Sequence, residues 1–171
     1  MPGWSPEIAN EMIKLARADG KAFDQMHLQE LVYIAHGWCL AMTGQPLTGD
    51  RPEALEHGPE YRRLATALVR WGVRPVTSEI QLPDSRSSQS KSDATPAPDE
   101  LFSVERDILR RVYAEYGHLQ TCQLASLTRA SGTPWDHVFA GGIGNGRDIP
   151  HRLIRSQFEE VAGSAGRRAR P

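Results

Sequence analysis

Residues 24–44 read DQMHLQELVYIAHGWCLAMTG, and this stretch decides the fold. Asp24 stands where a helix N-cap belongs, its carboxylate suited to accept from the free N–H groups of the first turn. Gly44 stands where a helix ends in left-handed conformation, which a residue without Cβ adopts cheaply. Between them Leu28, Leu31, Val32, Ala35, Trp38, Cys39 and Met42 recur at the spacing of one helix face. Tyr33, Ile34 and Leu40 add apolar groups outside that stripe. A helix apolar around most of its circumference must be covered on several sides. The segment is therefore expected to be the central helix of a mainly α, single compact helical domain of about six helices.

The neighbours on either side supply the cover. Ser5-Pro6-Glu7 reads as an N-cap, a proline in the first turn and an acid at the positive end of the helix dipole. Ile8, Met12, Leu15 and Ala16 then mark an amphipathic helix that Gly20 stops. After the central helix, Pro46, Gly49, Pro52, Gly58 and Pro59 punctuate an ordered loop or short hairpin. A third helix is expected over 60–71, and weak alternation over 73–82 suggests one strand, the minor short β element of the fold. Residues 84–99, DSRSSQSKSDATPAPD, hold no large apolar side chain to offset ordering entropy and read as a flexible insertion. Beyond it, Ser103 caps a helix to Tyr116, Thr121 to Arg129 forms a shorter one, and Thr133-Pro134 opens a helical turn. Leu153, Ile154, Phe158 and Val161 define a last helix. One domain over 1–162 is expected, followed by a disordered basic tail at 163–171.

Twenty basic against twenty-one acidic side chains leave a formal charge of −1, so no global field draws in nucleic acid or an anionic membrane. No stretch of about 18 apolar residues occurs and the N-terminus lacks the form of a secretory signal, so a cytoplasmic location is expected. Cys39 and Cys122 both fall in half-apolar helical segments and are expected to be reduced core thiols. No Cys/His spacing suits a metal, and no metal or cofactor is assigned.

Three patterns that invite a chemical reading fail on inspection. The glycine-rich run 141–146 is followed by Arg147-Asp148, not by the lysine and hydroxyl residue of a nucleoside-triphosphate loop, and no strand leads into the dinucleotide-binding pattern. His36 and Cys39 are close enough on one helix to form a base–thiol pair, yet Cys39 sits in the apolar stripe, where a neutral thiol is expected. Residues 121–135 loosely take a helix-turn-helix form, but PWDHVFA offers no Arg, Lys, Asn or Gln to read base edges. The expectation is therefore a protein that is not an enzyme and that binds another protein. A DNA-binding transcriptional regulator or autorepressor stands as the alternative, and a hydrolase with an unrecognised site as a further rival.

LQELVYIAHGWCLAMTGQPL, then EHGP, then a helix ending RWG, then LTRASGTPW, together resemble the Panacea antitoxin domain family, with its SocA-like antitoxins and GepA-like phage-associated proteins. Leu28, Gln29, Leu31, Tyr33, Ala35, Gly37, Trp38, Gly58, Pro59, Leu127, Thr128, Pro134 and Trp135 fall on the matching positions. His36 stands for the usual Gln, Leu55 and His57 for aromatic residues, and Arg129 for the usual His. The resemblance implies an antitoxin of a toxin-antitoxin system that binds a cognate toxin protein. In the SocA-like case it further implies a proteolytic adaptor serving an ATP-dependent protease such as ClpXP. The partner-binding surface expected on this basis comprises Trp38, His57, Gly58, Pro59, Tyr61, Thr128, Arg129 and Trp135.

Overall fold

In the computed structural model, which describes residues 2–82 and 99–168, the decisive stretch is helix α2, Gln25–Thr43. Asp24 caps it by accepting from the N–H of His27 at 2.8 Å, and Gly44 closes it in left-handed conformation with its N–H on Leu40 O. Every residue from Leu28 to Gly37 is buried: apolar side chains occupy most of the circumference, and the polar Gln29, Glu30 and His36 are carried inward with them. Helix α1, Ser5–Ala18, packs along α2. Its cap is not Ser5: the Glu7 carboxylate accepts from the Trp4 N–H, while the Ser5 hydroxyl is drawn inward to Asp50.

The chain leaves α2 through a hairpin of β1 (Glu53–Leu55) and β2 (Gly58–Glu60), with Leu55 opposite Gly58. Helix α3, Arg62–Leu68, follows and passes through a 3-10 turn to Trp71. The strand expected over 73–82 does not form. Val76 makes one isolated bridge to Phe23, and Ile80 is clamped by Asn10, whose side-chain amide donates to Ile80 O at 3.0 Å and accepts from its N–H at 2.7 Å. Two apolar side chains find burial there without a partner strand.

The expected insertion, 84–99, lies outside the described residues except for Asp99. Helix α4, Asp99–Tyr116, begins a turn before Ser103, which is inside the helix and not at its start. Helix α5 is Thr121–Thr128 and α6 is Pro134–Phe139, the latter capped by Thr133. The glycine run then turns the chain into β3, Arg147–Asp148, which pairs antiparallel with β1 and completes the sheet order β2-β1-β3. Helix α7, His151–Arg168, returns across α2 and continues through the start of the expected tail. Ala162 and Ala165 favour helix, and the Ser164 hydroxyl bonds to Glu160 O within it.

Seven α-helices and this small sheet make the fold mainly α among the described residues. None of these helices is long and apolar enough to cross a membrane. Cys39 is buried as expected, whereas Cys122 is exposed, because α5 turns that face away from the core.

Candidate functional site

The hairpin is keyed to the helices by side chains that the family resemblance had singled out or adjoined. On α2, the Gln29 amide donates to Tyr61 O at 3.1 Å and accepts from Tyr61 N–H at 2.9 Å, replacing two ladder bonds the strand end would otherwise lack. On α6, the Trp135 indole N–H donates to Leu55 O at 2.7 Å while its ring stacks on Phe139 at 4.8 Å. At the outer edge, Arg62 makes a two-pronged ion pair with Glu53.

Fixed in this way, the hairpin tip, the N-terminal half of α2, α5 and the Gly72–Val73 turn enclose a cleft of about 630 Å³. Much of its wall is apolar, with Met26 at 42% and Val73 at 96% exposure. At the wall stands Glu30, only 2% exposed. One of its oxygens accepts from the Thr128 hydroxyl at 2.8 Å, holding α5 against α2. Burial pushes the Glu30 carboxyl up to about 7, against the opposing pulls of the Thr128 hydrogen bond and of Arg129. Gly58 lies over the other oxygen in a conformation that disfavours side chains (φ +124°), and a Cβ there would come within 3.3 Å of Glu30 Oε1 and 3.5 Å of the Arg129 stem. Arg129 and Glu30 make no ion pair among the described contacts.

Of the residues expected at a partner surface, His57, Gly58, Pro59 and Arg129 meet at this cleft. Thr128 lies beneath it as the anchor of Glu30, and Trp135 stands behind the hairpin as its support. Tyr61 does not belong to the surface, because its side chain is wholly buried against His36. Trp38 is directed elsewhere, half-buried between Tyr116, whose hydroxyl its N–H approaches at 3.3 Å, and the edge of Phe158. Glu30 and Gln29 carry more of the site than their spacing announced. Their signal is an acid and an amide inside a stretch otherwise filled with core residues.

A second polar group occupies the interior. His36 Nδ1 accepts from the Thr48 N–H at 3.3 Å, which leaves the ring proton on Nε2, and the His151 ring lies beside it with centroids 4.8 Å apart. Burial first, then the neighbouring His151, lowers His36 to about 3, so the ring is neutral. No base–thiol pair exists: Cys39 Sγ lies 3.7 Å from Thr43, and burial raises its pKa. Among the described residues, no three His, Cys, Asp or Glu side chains gather as a metal site would require.

The fold and cleft define a class: a mainly α domain whose central helix is keyed to a β-hairpin that edges a hollow with one buried carboxyl. The chain belongs to the Antitoxin SocA-like, Panacea domain family, whose model matches residues 28–136, from α2 into α6. It is 26% identical over 154 residues to the Antitoxin SocA of Caulobacter vibrioides (strain NA1000 / CB15N), covering 88% of this chain and 80% of that protein. No solved structure matches it. A family of antitoxins implies a toxin as partner.

Proposed function

We propose that the chain neutralises a cognate toxin in the cytoplasm by direct protein binding, without a catalytic step of its own, and that the toxin seats on the cleft face. The observation that carries this reading is the exposed apolar pair Met26 and Val73 flanking the hollow, on a framework built largely from the family-matched segment. Exposed apolar groups beside a concave surface with a few polar groups are what protein recognition uses. His57 and Arg129 stand at the rim as adjustable polar contacts. In the same reading the bound toxin is handed to an ATP-dependent protease such as ClpXP, as by a proteolytic adaptor.

The test is co-expression with the product of the neighbouring reading frame, scored by growth rescue and co-purification. Rescue with a stable complex supports direct neutralisation. Rescue with loss of the neighbour, reversed in a protease-null host, supports the adaptor step. Val73→Asp combined with Met26→Asp is expected to abolish both rescue and complex while leaving the thermal unfolding midpoint within a few degrees of wild type. No rescue and no complex with the wild-type chain overturns the reading.

A further inference from the structure

We propose that the cleft selects a basic side chain, a lysine or arginine carried on an apolar segment of the partner, with Glu30 as its counter-charge; this rests on the toxin-binding reading above and names the chemistry of the group recognised. Four observations converge on it. Glu30 is almost fully buried yet lines an open hollow. Only one of its carboxylate oxygens is used, by Thr128, and Oε1 has no hydrogen-bond partner among the described residues. Oε1 is not sealed in the interior but reachable from the hollow, where a charge-assisted hydrogen bond from an incoming cation is stronger than one from a neutral donor. The absence of a Cβ at Gly58 leaves the approach to Oε1 open, at a place where alanine would press to 3.3 Å.

The surroundings set the sign and the shape. Asp24, Glu30 and Glu60 face the cleft against Arg129 and His57, so carboxyl groups outnumber basic ones, and an incoming cation draws Glu30 toward its ionised form. Asp24 is already committed, to the His27 N–H and the Thr121 hydroxyl, which leaves Glu30 and Glu60 as acceptors, and Glu30 is the more deeply buried of the two. Met26, Pro59, Val73 and Ala125 offer the stem of a lysine or arginine, and its apolar neighbours, surfaces to lie on. Arg129 keeps its stem on Gly58 and is displaced outward as the cation enters.

The experiment titrates the full-length chain with N-acetyl-Leu-Arg-Leu-amide, and separately with the same peptide carrying citrulline, the neutral isostere of arginine. It follows the backbone amide resonances of Gly58, Thr128 and Val73. The arginine peptide is expected to bind at these positions roughly ten-fold more tightly than the citrulline peptide, and Glu30→Gln, which keeps an acceptor for Thr128, is expected to erase that preference. Arg129→Gln is expected to strengthen binding of the arginine peptide. Equal affinities for the two peptides, shifts that map away from the cleft, or an undiminished preference in Glu30→Gln overturn the proposal. The comparison of the two peptides on the wild-type chain decides the matter even if the variant does not fold. A failed co-expression would sink the toxin reading, whereas a failed peptide comparison beside a successful co-expression would sink only the choice of a basic group.

Discussion

Glu30 and His36 share the buried stretch of α2 and respond oppositely to pH. The Glu30 carboxyl, ordinarily near 4.5, is held at about 7 by burial, so the folded chain keeps a proton that the unfolded chain loses. The stability this contributes is complete below about 4.5 and is lost as pH rises to about 7. His36, ordinarily near 6.5, is lowered to about 3, so the folded chain refuses a proton that the unfolded chain takes. Its contribution is complete above about 6.5 and is lost as pH falls toward 3. Between about pH 5 and 6.5 the two slopes, each about 1.4 kcal/mol per pH unit, offset one another. Glu30→Gln is therefore expected to make unfolding free energy rise with pH across that window relative to wild type. His36→Gln, which installs the residue usual in the resemblance, is expected to make it fall. Urea titrations at pH 5.0, 5.75 and 6.5 (about the window edges given by those shifts) check both signs, and parallel profiles for all three proteins would refute the assignment.

At the scale of elements, the hairpin is a three-residue-strand device that does not stand alone; isolated hairpins are marginal in water. Its position depends on Gln29 and Trp135. Gln29→Leu leaves the buried N–H of Tyr61 without a partner and its C=O with the Ala65 N–H alone, at about 1–3 kcal/mol. The expected outcome is a lower urea midpoint together with faster amide exchange at Ala54 and Tyr61. Slowed or unchanged exchange there would mean that Trp135 alone holds the hairpin. The same element explains what was legible beforehand. Helices declare themselves locally, through Asp24, Thr133 and Gly44 at their ends and a face of recurring apolar residues. The strands do not: EAL and GPE lack β-branched residues and are set by Gln29 and Trp135, which are remote in sequence. Residues 73–82 have alternation but only the single Val76–Phe23 bridge in place of a partner strand, so Val76 and Ile80 are buried on loop. The cleft was half legible, since His57-Gly58-Pro59 and Arg129 were identifiable by resemblance. Glu30 was hidden because its partner, Thr128, arrives from the far side of the chain.

For the whole molecule, the family-matched segment ends at Asp136, yet the central helix it contains is covered in part by α7, which begins at His151. The two helices meet so closely at Gly37 that a Cβ there would fall 2.2 Å from the Phe158 ring. That ring also meets Tyr33 and Trp38 edge-on, with centroids 6.4 and 5.5 Å away. Ile154 and Phe158 are both buried. The matched segment therefore lacks one wall of its own core, and a chain ending at Asp148 is expected to lose cooperative unfolding and to bind a hydrophobic dye, as states with secondary structure but no fixed packing do. Gly37→Ala is the milder form of the same test, expected to cost about 1–3 kcal/mol by overpacking, with most of that loss recovered in the double variant with Phe158→Leu, because the smaller side chain vacates the space the methyl needs. If the shortened chain melts cooperatively, the matched segment folds alone and α7 is an addition to it. If it does not, α7 is as much a part of the antitoxin body as the helix it covers, and the cleft, which lies further along the same face of α2, depends on it.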